Sequence, residues 1–138
     1  MKENAVTVKA VRGLEWVRLD TAFPRNPKIL ELEYMNAWRA ITVYVCGLAY
    51  SGEQGLDGFI PDRAMRTVYA TKKEIEQLLE VGLWHRDDRG GGYDINDWHD
   101  YQPSAEQAER RREKARNAAE ERWKKERNKQ LRAVVTNE

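Results

Sequence analysis

The chain is predicted to be an α+β protein in which a three-helix core is closed by a small β-hairpin and followed by a long charged helix. Three observations predict it. Capped helical stretches lie on either side of a short apolar run, "GFIP". Two short β-prone runs flank "DDRGGG". The final stretch, 104–138, is dominated by charges and alanine. With 138 residues, 41% of them apolar and 34% charged, there is room for one modest domain plus non-globular sequence.

Residues 1–14 are polar and mixed and read as a flexible terminus, leaving 15–103 for the domain and 104–138 for the tail. "WVRLD" (16–20) alternates and predicts a short strand. In "PRNPKILELEYM", Asn26 caps a helix with Pro27 in its first turn, and Ile29, Leu30, Leu32 and Met35 form its apolar side. "NAWRAITVYVCGLAY" (36–50) suits a central buried helix by its length and by the spacing of Trp38, Ile41, Val45 and Leu48. "SGEQGLDG" reads as a turn-rich loop, and Gly58–Pro61 as a brief strand entering a helix at 61–69. Thr71 with Glu74 forms a capping box for a helix over 71–81, with Ile75, Leu78, Leu79 and Val81 inward and Gly82 as its stop. "LWHR" and "YDIND" then form the hairpin, with "GGG" supplying turn geometry.

This order of elements is that of a winged helix-turn-helix. Residues 61–69 and 71–81 form the helix-turn-helix, 71–81 is the major-groove reader, and the loop 86–92 is the wing.

Charge is divided unevenly. Residues 104–138 hold 11 Lys+Arg against 7 Asp+Glu, a net of +4, while residues 1–103 hold 13 against 16, a net of −3. A slightly acidic globule with a basic tail points to a polyanionic partner. No run reaches the roughly 18 apolar residues of a membrane span. "MKENAVTVKAVRG" lacks a signal peptide's apolar region, and the lone Cys46 fits a reducing compartment and a small core residue. A Gly-x-Ser-x-Gly elbow, a P-loop and a paired zinc-ligand motif are all missing, so neither an enzyme nor a cofactor is expected.

"DGFIP" together with "KKEIEQLLEVGLWHRDDRGGGYDINDWHDYQPS" resembles the amino-terminal winged-helix domain of phage replisome organisers and DnaD-type replication initiation proteins. The matching features are Gly58–Ile60, the helix running into its turn at Leu79–Leu83, and Trp98, Tyr101 and Gln102 of a "W-x-x-Y-Q" segment. "WVRLDTAFPRNPKIL" is also similar to the opening of actinobacteriophage proteins with a helix-turn-helix. The resemblance covers about residues 15–104 and implies DNA binding in replication of a phage or mobile element, in the cytoplasm of a bacterial host. The carboxy-terminal helicase-interacting domain of DnaD-type proteins has no counterpart in these residues.

On the winged-helix reading, double-stranded DNA is the partner. Arg63, Arg66, Lys72, Lys73 and Gln77 serve recognition, Arg86 or Arg89 a wing contact, and Arg110, Arg111, Arg112, Lys114, Arg116, Lys124 and Lys125 phosphate anchoring. Residues 61–92 hold six basic and six acidic side chains, so a merely solvated helix face stands beside base reading. The tail has its own bland reading, a solvated helix held by pairs such as Glu106/Arg110, Glu120/Lys124 and Glu121/Lys125. A homodimer through the tail is a third option, on a poor alanine seam. A transcriptional regulator on the same fold, or a module that docks replication or transcription proteins, are the competing functions.

"YDINDWHDYQPS" (93–104) fits no calcium loop, because Trp98 would fall on a ligand position. A mononuclear site from Asp94, Asp97, His99 and Asp100 stays open beside a simpler account. In that account Tyr93 and Ile95 lie on the returning strand, Trp98 and Tyr101 latch onto the helices, the aspartates face water, and Pro103–Ser104 starts the tail helix.

Overall fold

The computed structural model describes residues 13–136. It is an α+β arrangement of helices around a small antiparallel sheet, ending in one long helix. Helix α1 (Pro27–Tyr34) begins where its chemistry dictates: the Asn26 side chain accepts from the Lys28 N–H at 2.8 Å, and Pro27 fills the first position. Ile29 and Leu32 are buried, but Leu30 faces solvent, since eight residues present only one contact face.

Helix α2 (Trp38–Gln54) is the buried centre, with a different inward face from the one its large residues suggest. Trp38 and Val45 are exposed, while Ala40, Val43, Gly47, Leu48, Ser51 and Gly52 are buried. Volume explains this. A Cβ on Gly47 would stand 2.8 Å from Ile60 Cδ1 and 3.2 Å from the Trp84 ring, so the helix gives up its side chain where the sheet supplies a large one. The helix also runs four residues into the expected loop. Gly55, φ +68°, ends it, and the Ser51 hydroxyl ties the following turn to the helix by donating to the Phe59 carbonyl at 3.0 Å and accepting the Gly58 N–H at 2.7 Å.

Strands β1 (Phe59–Pro61), β2 (Trp84–Arg86) and β3 (Gly92–Ile95) form the sheet in the order β1-β3-β2, all antiparallel. Ile60 pairs with Tyr93 and Trp84 with Ile95. The three glycines of the hairpin divide their duties. Gly90 and Gly91 take positive φ in the turn, whereas a Cβ on Gly92 would run into the Ile60 carbonyl. Helix α3 (Lys72–Val81) is capped by Thr71 and Glu74 as predicted and stops at Gly82, φ +82°. Leu32, Val43, Ile60, Val68, Leu78 and Trp84 make the fully buried centre of the core.

Two predicted elements do not form. Residues 61–69 are not an α-helix: a 3-10 turn over Asp62–Ala64 leads into turns that end on Tyr69 in the left-handed region, φ +65°. "WVRLD" is not a strand. Its backbone at Arg18 pairs with a side chain, the Gln102 amide, which accepts from the Arg18 N–H at 2.9 Å and donates to the Arg18 carbonyl at 2.8 Å. Gln102 is buried and is the latch of the 93–104 segment, together with Trp98 on the short helix α4 (Trp98–Tyr101); Tyr101 itself is exposed. The expected flexibility of 1–14 falls outside the described residues for 1–12, but Leu14 is tied down, its N–H donating to the Gly52 carbonyl at 2.7 Å.

Helix α5 (Ala105–Thr136) opens with a reciprocal cap. The Ser104 N–H donates to Gln107 Oε1 at 2.9 Å and the Gln107 N–H to Ser104 Oγ at 3.0 Å. The Ala105 N–H donates to Asp57 at 2.8 Å and roots the helix on the globule.

Candidate nucleic-acid interface

Arg63, Arg66, Lys72 and Lys73 are all exposed, and no acidic residue interrupts the sequence between 63 and 73. The strip runs from the turn after β1 to the first turn of α3. Behind it stands Arg39 of α2, which donates to the Tyr69 carbonyl at 3.3 Å and lies 3.5 Å from the buried Glu74 carboxylate. Burial alone would raise Glu74, but hydrogen bonds from the Thr71 hydroxyl and N–H, with Arg39 beside it, hold the carboxyl below its ordinary range. Farther along α3 the outward row continues as Glu76 and Glu80, with Gln77 half-buried at its flank. The cationic surface of this helix is therefore confined to its first turn.

The hairpin offers less positive charge than its two arginines suggest. Arg86 lies over the Tyr93 ring at 5.5 Å and contacts the Tyr93 hydroxyl at 3.4 Å. Arg89 is held by Asp87 through three hydrogen bonds, at 2.8 Å from its N–H and 3.2 Å from Nε and Nη2. Its charge is matched locally by that carboxylate. Asp94, expected to face water, is half-buried on β3.

Partial burial and the adjacent Asp87 push Asp94 up to about 6, while Arg89 holds Asp87 down to about 2. The pair titrates as a unit with opposite effects on the fold. Asp87 adds stability as pH rises from about 2 to above the ordinary 3.8, and is lost as an anchor on acidification through 2. Asp94 ionises near 3.8 when unfolded but near 6 when folded, so stability falls as pH climbs between those values. Asp94→Asn is expected to flatten the fall of the thermal midpoint between pH 4 and 6, checked by melting both proteins across that range.

Helix α5 sorts its charges by face. At about 3.6 residues per turn, its buried or half-buried residues Ala105, Ala108, Glu109 and Arg112 share the side toward the globule. On that side Glu109 holds Arg112 at 2.8 Å and reaches Arg116 at 3.9 Å, and Arg112 also donates to the Gly13 carbonyl at 3.2 Å. Arg112 is thus a brace to the globule and not a free phosphate contact. Lys124 falls on the flank that carries Glu106, Glu113 and Glu120. The far face carries Arg111, Lys114, Arg122, Lys125, Lys129 and Arg132, flanked on one side by Glu121 and by Arg110 in its pair with Glu106, and on the other by Glu126. From Glu113 to Thr136 every residue is exposed, a free length of about 36 Å at 1.5 Å per residue.

Asp94, Asp97, His99 and Asp100 do not converge: among the described residues no group of three His, Cys, Asp or Glu could hold a metal ion. His85 instead meets Asn96 at 2.8 Å. No helix among the described residues is long and apolar enough to cross a membrane. Sequence reasoning missed Arg39, Tyr69 and Arg132. A helical wheel finds Arg132, whereas nothing local announces Arg39, which reaches α3 only through the fold. No protein-family model, no curated protein and no solved structure matches this chain.

Proposed function

We propose that the chain binds DNA on a winged-helix plan and acts in replication of a phage or mobile element, as initiator or organiser. The observation that carries DNA binding is the segregation of charge on α5, whose outward face is cationic over more than 20 residues, Arg111 to Arg132. A solvated helix held only by its own ion pairs would need no such sorting. A phosphate backbone rewards it, because each neutralised phosphate releases condensed counterions.

The winged-helix reading is supported by the order α2, β1, turn, α3, β2, β3 with β3 central in the sheet. In it, α3 approaches the groove with Lys72 and Lys73 on phosphate and Gln77 at a base edge, while Arg86 serves the wing. The replication role comes from the family resemblance, and a transcriptional regulator would share the same DNA contacts.

The test is duplex affinity against salt for the full chain and for Arg122→Gln/Lys125→Gln/Lys129→Gln/Arg132→Gln. These four side chains are exposed, so the fold should be untouched. Losing about four phosphate contacts should make the log–log salt slope shallower by roughly 3.6. An unchanged slope would refute phosphate anchoring by α5. Failure of both proteins to bind at low salt would leave the protein-docking reading, which Trp123, Leu131 and Val134 favour, exposed on the side away from these four cations, where Arg127 lies over the Trp123 ring.

A further inference from the structure

We propose that Tyr69 is a stacking platform for an unpaired base, so that the protein binds single-stranded nucleic acid beside the cationic strip 63–73. The inference rests on the nucleic-acid reading above and deepens it.

Four times among the described residues a helical turn is closed by the same pair of hydrogen bonds, one reaching back three residues and the next reaching back five. The pairs are Asn36 to Glu33 with Ala37 to Leu32, Gly55 to Gly52 with Leu56 to Ser51, Tyr69 to Arg66 with Ala70 to Met65, and Gly82 to Leu79 with Leu83 to Leu78. This closure requires a left-handed residue at its hinge. Asn36, Gly55 and Gly82 are the residue types that accept such a backbone, with φ +58°, +68° and +82°. Tyr69 is not: it holds φ +65° with a bulky side chain.

Packing does not offset that strain, because Tyr69 is 63% exposed. Nor is the residue loose. Its N–H donates to Arg66 at 3.2 Å, and its carbonyl is gripped by Arg39 at 3.3 Å. The result is an aromatic ring presented to solvent from a fixed backbone, with Arg66 on one side in sequence and Lys72 and Lys73 on the other. Strain that the fold does not repay is a mark of a functional position. An aromatic face among cations is the combination that single strands use, with bases stacking on the ring and phosphates held beside it.

The test compares wild type, Tyr69→Asn and Tyr69→Phe in the full chain by fluorescence anisotropy, using a labelled single strand and the duplex of the same sequence. Asparagine tolerates the left-handed backbone, so Tyr69→Asn should raise the thermal midpoint by roughly 4–8 °C. It should also weaken single-strand binding by about 5- to 100-fold, while duplex affinity moves less than twofold. Tyr69→Phe keeps the ring and should bind as wild type.

Unchanged single-strand affinity in Tyr69→Asn, or an equal loss on both ligands, would overturn the proposal. Wild type that binds duplex but not single strands would overturn it while sparing the DNA reading. Binding to neither would remove both.

Discussion

Trp84→Ala should cost the fold about 3–5 kcal/mol, a large share of the stability of a domain this size. Trp84 is the largest fully buried side chain. Its ring meets α2 at Gly47, and it stacks on Tyr93 with centroids 5.6 Å apart and planes 26° from parallel. Gly47 has no side chain to move into the space, so the cavity left by truncation cannot collapse from that side. The indole N–H finds no hydrogen-bond partner among the described residues, so Trp84→Phe should lose mainly packing and fall well short of the alanine loss. Urea unfolding of the three proteins decides the matter, and a Trp84→Ala loss below about 2 kcal/mol would contradict this account.

Gln102→Leu should cost about 2–3 kcal/mol, and the loss should be local. The Gln102 amide makes a two-point clamp on the Arg18 backbone, and leucine satisfies neither the N–H nor the carbonyl. Hydrogen exchange should then show residues 13–20 opening while α2 and the sheet keep their protection. Gln102→Glu separates the two bonds. The carboxylate still accepts from the Arg18 N–H but repels the Arg18 carbonyl, and acidification should restore part of the clamp. Uniform deprotection of the whole domain in Gln102→Leu would show that the clamp is not a separate unit.

Features encoded in local chemistry were legible in the sequence. Asn26, Thr71 with Glu74, Gly82 and Ser104 mark helix ends through hydrogen bonds that lie within a few residues. The glycine-rich hairpin was equally plain. Features set by distant partners were not. The inward face of α2 follows the bulk of Trp84, which stands 37 positions beyond Gly47, so the spacing of its large residues misled. Alternation in "WVRLD" signalled a strand, but the segment's partner is one side-chain amide. The expected helix over 61–69 is replaced by a 3-10 turn and a run of turns that close on a tyrosine in a glycine's conformation, which no propensity announces.

The candidate site divides along the same line. Lys72, Lys73, Arg111 and Lys114 stand exposed as their positions suggested, whereas Arg89 and Arg112 are bound by Asp87, Glu109 and the Gly13 carbonyl.

The chain enters and leaves the globule at one corner, where Leu14 meets Gly52, Arg112 meets Gly13, and Ala105 meets Asp57. That corner acts as a mechanical fuse. A pull along α5 would load these few bonds and the Gln102 clamp before it reached the β1-β3-β2 ladder, so the arm should come away at a lower force than the body that holds Tyr69 and the first turn of α3.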